Sequence, residues 1–348
     1  MDFHNIIAGK PRGSDQFHHG VSPIDNSKLW NVPVATSEDV EDAVVAARNV
    51  FLGWAARTYR ERTGLLEKLA ELYLSKAEDF TKLLARETGR SHMVKLTEFY
   101  RAGNNASIIL PDVNISEVAP QIAAGLWFNA GQVCIASRRL YIHESIYASF
   151  LEALTAATNG LGKDMASNIG PIQNAMQFNR LQDLLEDCRA NKHQILGDDG
   201  TIDSVTDPSL FFRPTIIDNP PLDSRIVVEE QFGTSKRTSL EIFANHKAHS
   251  SPLPGPIIPC MPFSSVDDVI TLANSTESGL GASIWTKDPQ LATKIAEKLE
   301  VGNVFVNGPP KPDPFAPFGG HKMSGLGVEY GLEGLLSFCQ IKAVHIYK

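Results

Sequence analysis

Hydrophobic residues recur at two spacings along the chain, and this predicts a mixture of helices and strands. Apolar side chains at every third or fourth position predict helices at 40–54, 59–86, 146–156, 177–191, 266–275 and 289–299. A further helix is expected to start near Ser116 and to end close to Cys134. Short β-rich runs predict strands at 108–110, 139–143, 212–217 and 301–306. Helices that alternate with short strands indicate the α/β class.

Local signals mark where several of these elements begin and end. The chain up to about Val34 is rich in Gly, Pro, Asn and His, which predicts loops and short strands. Thr36 with Asp39 matches a capping box at the start of the first helix. Gly89 is a plausible stop for the helix at 59–86.

Length and composition narrow the class of protein. With 348 residues the chain is long enough for one large domain or two, and 43% hydrophobic with 21% charged residues is ordinary for a globular protein. A net charge of -8 favours neither a nucleic-acid partner nor an anionic membrane surface. No apolar run reaches the roughly 18 residues of a membrane span. The first residues lack the apolar core of a signal peptide, so we expect a cytoplasmic protein.

The four cysteines are Cys134, Cys188, Cys260 and Cys339, and they are widely spaced without a CxxC pair. This spacing argues against a zinc site or a disulfide framework, and we expect no metal. Cys134 differs from the others because it lies in a loop of small residues after an apolar segment. Its surroundings, FNAGQVC at 128–134, make it the candidate nucleophile.

The segment around Cys134 resembles the active-site cysteine signature of the aldehyde dehydrogenase superfamily. Other segments match the same family in the family's order. They are VSP at 21–23, DVEDAV at 39–44, RER at 60–62, RETG at 86–89, GP at 170–171, RPT at 213–215, EEQFG at 229–233 and PFGGHKMSG at 317–325. The resemblance covers nearly the whole chain, except about 90–99 and 234–255.

The resemblance implies a function and a set of site residues. It implies oxidation of a small aldehyde to a carboxylic acid through a thiohemiacetal on Cys134, with NAD or NADP as hydride acceptor. Glu230 and Phe232 match residues that touch the nicotinamide ribose and ring in relatives. Relatives form dimers or tetramers, partly through a C-terminal strand, which implies a homo- or hetero-oligomer here.

The chain departs from the family between Gly89 and Gly103. Family members have about 450–500 residues, and the shortage in this chain falls in that one interval. The loss removes the phosphate turn, the lysine that holds the adenosine ribose, and an asparagine of the oxyanion hole. Tyr100 stands where the family has its catalytic glutamate, and Glu98, two residues out of register, is a weak substitute base. We therefore expect an α/β, aldehyde-dehydrogenase-like catalytic domain with a severely shortened dinucleotide-binding domain.

A second departure is an insertion of 22 residues at 234–255, between Gly233 and Pro256. Its sequence has no clear period and ends in Ser, Pro and Gly, which predicts an irregular exposed loop. Its in-frame length is compatible with a retained intron. The predicted organisation is 1–102 for early strands, early helices and the remnant of the cofactor domain, 103–325 for the catalytic domain, and 326–348 for an oligomerisation tail.

Three functions stay open at this point. The first is aldehyde oxidation, impaired by the loss of the cofactor domain and the glutamate. The second is acyl transfer or ester hydrolysis by the Cys134 thiol, which needs no hydride acceptor. The third is a non-catalytic role as an interaction subunit. In all three, the early helices are expected to expose apolar faces, because the sheet that should cover them is shortened.

Overall fold

The computed structural model describes residues 3–89, 103–197, 210–229, 255–340 and 342–347. The chain divides into two compact units, Met1–Leu96 and Thr97–Lys348. The predicted boundary after residue 102 and almost all of the predicted insertion at 234–255 lie outside the described residues. The predicted division at 325 stays a prediction.

The first unit consists of two antiparallel hairpins followed by three helices. The strands pair β1 with β2 and β3 with β4. The elements are β1 (Asn5–Ile7), β2 (Lys10–Arg12), β3 (Phe17–Val21), β4 (Lys28–Pro33), α1 (Ser37–Ala55), α2 (Tyr59–Ser75) and α3 (Ala77–Thr88).

Side-chain caps define where the first two helices begin. Thr36 Oγ1 accepts from the Asp39 N–H at 3.1 Å, and Asp39 Oδ2 accepts from the Thr36 N–H at 2.8 Å, so the predicted capping box is present. Thr58 and Glu61 form a second box at the start of α2. Hydrogen bonds from Thr36, and after them the charge of Arg12, lower the pKa of Asp39. Each box satisfies N–H groups that the first turn of a helix leaves unpaired.

The single helix predicted at 59–86 is wrong, because the chain breaks it into α2 and α3. Lys76 has non-helical angles, φ −110° and ψ 6°. Ser75 Oγ donates to the carbonyl oxygen of Leu72 at 2.7 Å. A serine that bonds to nearby backbone competes with the helical ladder, and periodicity alone does not reveal this. The predicted stop is confirmed, since Gly89 ends α3 in the left-handed conformation at φ 69°.

The second unit contains the remaining elements. They are β5 (Asn105–Ile109), α4 (Ile115–Trp127), β6 (Ser137–His143), α5 (Tyr147–Leu161), α6 (Met165–Asn168), α7 (Ala175–Ala190), β7 (Gln194–Leu196), β8 (Thr215–Asp218), α8 (Arg225–Val228), β9 (Ile257–Phe263), α9 (Val266–Asn274), β10 (Ser278–Gly279), β11 (Gly281–Trp285), α10 (Pro289–Lys298), β12 (Asn303–Val306), β13 (Phe318–Gly319), β14 (His321–Lys322), β15 (Val328–Glu329) and α11 (Gly331–Leu336).

Seven of these strands form the main sheet, in the order β12-β11-β5-β6-β9-β8-β7. Neighbouring strands are parallel, except that β7 runs antiparallel to β8. Every residue of β5 is buried, so both faces of the sheet centre are covered. Helices α4 and α5 pack on each other and on β6, α9 packs on β5 and β9, and α10 packs on β11. The predicted α/β class is confirmed.

Several predicted bounds differ from the structure. The strand expected at 108–110 starts earlier, and the helix expected at 146–156 continues to Leu161. Strands β9 and β11 were not predicted. Pro259 and Pro262 interrupt the apolar run of β9, and β11 begins with small residues. Both strands form because they pair with neighbouring strands, and this pairing outweighs their weak strand propensity.

The predicted C-terminal strand is not formed in the described residues, where α11 and then irregular chain follow β15. A strand needs a neighbouring edge to satisfy its backbone. In the part of the second unit that the structure describes, no edge strand pairs with this segment. Its apolar side chains, among them Phe338 and Ile346, are exposed. The oligomerisation role of 326–348 therefore stays a prediction.

Candidate active site at the Cys134 loop

Cys134 lies in the loop that joins α4 to β6, near the amino ends of the central strands. It is partly exposed and forms no disulfide. Asn105, the first residue of β5, donates from Nδ2 to the carbonyl oxygens of Cys134 and Ala136, each at 2.8 Å. Its Oδ1 accepts from the N–H of Gly281, the first residue of β11, at 3.0 Å. One buried amide therefore fixes the cysteine loop to two strands of the sheet.

The backbone before Cys134 makes an unusual turn. Asn129, Ala130 and Gly131 follow one another in the left-handed region, at φ 54°, 53° and 69°. Each non-glycine residue there costs about 1–2 kcal/mol, so the surroundings must hold the turn in place. The N–H of Ala130 donates to the carbonyl oxygen of Ile169 at 2.9 Å. Strain of this kind is characteristic of functional sites.

Gln132 connects the turn to the GP segment that follows α6. This buried side chain donates from Nε2 to the carbonyl oxygens of Asn129 at 3.0 Å and Pro171 at 2.9 Å. Its Oε1 accepts from the N–H of Gln173 at 2.8 Å. All the polar atoms of this amide are used in holding the loop, which accounts for a glutamine two residues before the cysteine.

Arg138 lies beneath the loop and is buried. Its Nη1 donates to the carbonyl oxygen of Gly255 at 3.1 Å, and its Nη2 donates to the carbonyl oxygens of Val133, at 3.3 Å, and Gly131. Burial lowers the pKa of Arg138 to about 9, and negative charge on Cys134 raises it. The guanidinium therefore stays protonated at neutral pH. A Cβ on Gly131 would lie 2.9 Å from Arg138 Nη1, so glycine is required there by space as well as by φ.

An apolar wall completes the surroundings of Cys134. Ile135, Leu280 and Phe318 are buried together, and Cys134 and Tyr330 pack against them. The rings of Phe318 and Tyr330 are 6.3 Å apart. Burial raises the pKa of Tyr330, and negative charges on Glu329 and Cys134 raise it further. The PFGG segment at 317–320, far away in sequence, therefore lines the cysteine site.

The other cysteines have different environments. Cys188 and Cys260 are buried, and Cys339 is exposed near the end of α11. Burial raises the pKa of Cys188 to about 11, and it raises that of Cys260 further. Both buried thiols are thus held in the neutral, unreactive form.

The structure leaves three predicted site residues untested. Glu98, Glu230 and Phe232 lie outside the described residues, so their roles stay predictions. Sequence reasoning missed Asn105 and Arg138. For Arg138 the predicted strand at 139–143 began one residue too late, so the need of a buried arginine for polar partners was not apparent. For Asn105 the predicted strand began too late to include it.

The described residues contain no cluster of three or more His, Cys, Asp or Glu side chains arranged to hold a metal ion. Among the helices in those residues, none combines the length and the apolar character needed to cross a membrane.

The sequence profile of the aldehyde dehydrogenase family matches residues 11–102, 94–234 and 241–344. The chain belongs to the aldehyde dehydrogenase family. It is 36% identical over 485 residues to the putative aldehyde dehydrogenase FUS7 of Gibberella fujikuroi, with 99% of each chain covered. It is equally similar over 480 residues to the aldehyde dehydrogenase LUC3 of a Fusarium species, again with 99% of each chain covered. These alignments are longer than the 348 residues of this chain, so they contain gaps on its side.

Comparison with solved structures shows that this chain has the aldehyde dehydrogenase fold. An NAD-dependent aldehyde dehydrogenase from Sinorhizobium meliloti superimposes with a TM-score of 0.85 at 18% identity, covering 99% of this chain and 95% of that one. An aldehyde dehydrogenase from Mycobacterium tuberculosis, solved in complex with NAD+, superimposes with a TM-score of 0.83 at 20% identity, covering 97% of each chain.

The main sheet, as far as the structure describes it, lacks one feature that usually holds a dinucleotide. A pyrophosphate is usually held by a glycine turn between a strand and a helix. In the described chain, the strand-to-helix turns at 110–114, 144–146, 219–224, 264–265 and 286–288 contain no glycine. Gly279 belongs to a strand, and a Cβ there would lie 2.5 Å from the carbonyl oxygen of Glu300. Close backbone packing therefore explains this glycine.

Proposed function

We propose that this chain is an aldehyde dehydrogenase family protein that adds a small aldehyde to Cys134 and oxidises it to the carboxylic acid only poorly. The addition is carried by one observation: Cys134 is partly exposed in a strained loop that Asn105, Gln132 and Arg138 hold in place. Such a loop presents a sulfur atom at a defined position, as a nucleophile requires.

The addition can be written from the residues present. The Cys134 thiolate attacks the carbonyl carbon, an S–C bond forms, and the C=O π bond becomes an oxyanion. The oxyanion takes a proton from solvent, and the product is a thiohemiacetal. No oxidant is consumed, so the step is reversible when the aldehyde is removed.

Poor oxidation of the aldehyde is supported by features of the described chain and of its alignments. The five described turns between main-sheet strands and the helices that follow them contain no glycine to hold a dinucleotide. The alignments with the fungal relatives contain gaps on this chain's side, which agrees with a shortened dinucleotide-binding domain within 1–102. Glu98 is the substitute base that we propose, and Glu230 and Phe232 are vestigial contacts for NAD or NADP. Oxidation needs both an acceptor for hydride and a base for water, so each loss slows it.

Protection of Cys134 tests the addition. Alkylation of Cys134 by iodoacetamide, followed by peptide mass spectrometry, should slow at least several-fold when a small aldehyde is present. Exposed Cys339 in the same chain is the internal control and should react at an unchanged rate. Equal alkylation of Cys134 with and without a panel of aliphatic and aromatic aldehydes would overturn the proposed addition.

Formation of reduced nicotinamide tests the impairment separately. The intact chain with aldehyde and NAD or NADP should give little turnover, and calorimetry should show no micromolar affinity for either dinucleotide. Rapid turnover that is lost in Cys134→Ala would confirm the nucleophile and contradict the impairment. Turnover of an activated ester that depends on Cys134 would instead support the thiol-dependent hydrolysis.

A further inference from the structure

Two neighbouring arginines at the start of β6 are both buried, but they have different partners. Ser137 pairs with Asn105 and Arg139 pairs with Ala106, so Arg138 is the extra residue of a bulge, and the two arginines have separate surroundings. Arg139 donates to the carbonyl oxygens of Asn104 at 2.9 Å, Leu272 at 2.9 Å and Ala273 at 3.0 Å. Two of these carbonyls lie in the last turn of α9. Arg139 therefore closes a helix end, which is a structural role.

Arg138 has no helix end to close. It donates to the carbonyl oxygens of Gly131 and Val133, within the Cys134 loop, and of Gly255. Its Nε is buried without a hydrogen-bond partner. Among the described residues no carboxylate forms an ion pair with it. A buried charge without a counter-charge is costly, and so this arginine requires compensation by a nearby anion.

Cys134 in its thiolate form is an anion that interacts with Arg138. Negative charge on Cys134 is the influence that raises the pKa of Arg138, against the lowering by burial. The attraction is mutual, so the guanidinium favours the thiolate as much as the thiolate favours the guanidinium. Cations beside a cysteine are a recognised cause of thiolate formation, whereas burial in apolar surroundings has the opposite effect.

We propose that Arg138 is a positioning residue for Cys134, which holds the carbonyls of the loop and supplies the positive charge that keeps Cys134 a thiolate at neutral pH. The proton leaves the Cys134 sulfur for solvent, so no separate base is needed for the addition. This inference rests on the proposed function, because it concerns the same nucleophile. It assigns the activation of the sulfur to a residue within the described chain, whereas the proposed substitute base Glu98 lies outside it.

Tyr330 does not replace Arg138 as a source of positive charge beside Cys134. Tyr330 packs in the same apolar cluster, and its pKa is raised, so it is neutral at neutral pH. Arg138 carries a positive charge that acts on Cys134, whereas Tyr330 is uncharged at neutral pH.

The pH profile of Cys134 alkylation in the full chain tests the proposal. The Arg138→Lys and Arg138→Gln variants both lose the planar fork, but only the lysine keeps the charge. Arg138→Gln should move the half-point of the profile up by about one pH unit, which slows alkylation at neutral pH by about tenfold. Arg138→Lys should restore most of the rate. Arg139→Gln, the matched change at the neighbouring buried arginine, should leave the profile of Cys134 unchanged.

Two results would overturn the proposal: a folded Arg138→Gln variant with the wild-type profile, or equal shifts in Arg138→Gln and Arg139→Gln. If Arg138→Gln does not fold, the wild-type chain gives the answer alone. Its Cys134 should have a half-point about one pH unit below that of the same cysteine in the urea-unfolded chain, and an equal or higher value rejects the idea. No step of this test uses aldehyde or dinucleotide, so its outcome is independent of the oxidation assay.

Discussion

The helices of the first unit and those on the main sheet have similar sequence patterns and different surroundings. Leu126 in α4 is 1% exposed and packs in the large core cluster. Leu69 in α2 is 62% exposed, and α2 has no buried residue. The comparison shows that helical periodicity identifies an apolar face but does not provide its partner. The sheet covers α4, whereas the apolar face of α2 stays largely open.

Truncating a leucine in each region gives the largest expected contrast. Leu126→Ala should lower the free energy of unfolding by about 2–5 kcal/mol, because it leaves a cavity in the core. Leu69→Ala should cost less than about 1 kcal/mol, because little surface is buried there. Urea denaturation followed by circular dichroism measures both variants. Equal losses would mean that the face of α2 is covered in solution, and the comparison would fail.

Alkaline pH should destabilise the sheet-containing unit through Cys188 on α7. Its pKa is raised from 9.0 to about 11, so the folded chain keeps the proton where the unfolded chain releases it. The neutral Cys188 thiol therefore contributes its full share to the free energy of unfolding below pH 9. That contribution, on the order of 2 kcal/mol, is lost as the pH rises towards 11. Wild type should therefore lose more stability than Cys188→Ala between pH 8 and pH 10. Cys339→Ala is the matched control and should follow wild type; parallel pH profiles for all three chains would contradict this reading.

Removing a cap should have the smallest effect and should reveal what holds the first unit. Thr36→Ala deletes the hydroxyl that accepts from Asp39 and should lower the free energy of unfolding by about 1 kcal/mol. Ser265→Ala deletes the corresponding cap of α9, where Ser265 Oγ accepts from the N–H of Asp268, and should cost a similar amount. Because few side chains of α1 are buried against other elements, Thr36→Ala should also increase amide hydrogen exchange along α1. Exchange that rises equally in both helices would remove this distinction.

The sequence predicted much of the fold and only part of the candidate site. The helix at 177–191, the cap at Thr36 and the stop at Gly89 follow from local signals, and the structure has them. The break at Lys76 was not predicted, because it depends on the hydrogen bond from Ser75 to the backbone. The strand β9 was not predicted, because it depends on pairing with β6 and β8. Cys134 was found from its loop. Asn105 and Arg138 were not, because their roles appear only once the strands bring them beside that loop.

The sequence by itself determined the family, the α/β class and the cysteine that carries the proposed chemistry. These depend on residue identity and on spacing along the chain, which local propensity and motif order record. Only the tertiary structure decided that Gln132, Asn105 and Arg138 converge on one loop and that Phe318 lines it. Those are contacts between distant segments, and their energies come from burial and charge compensation, which have no period in the sequence.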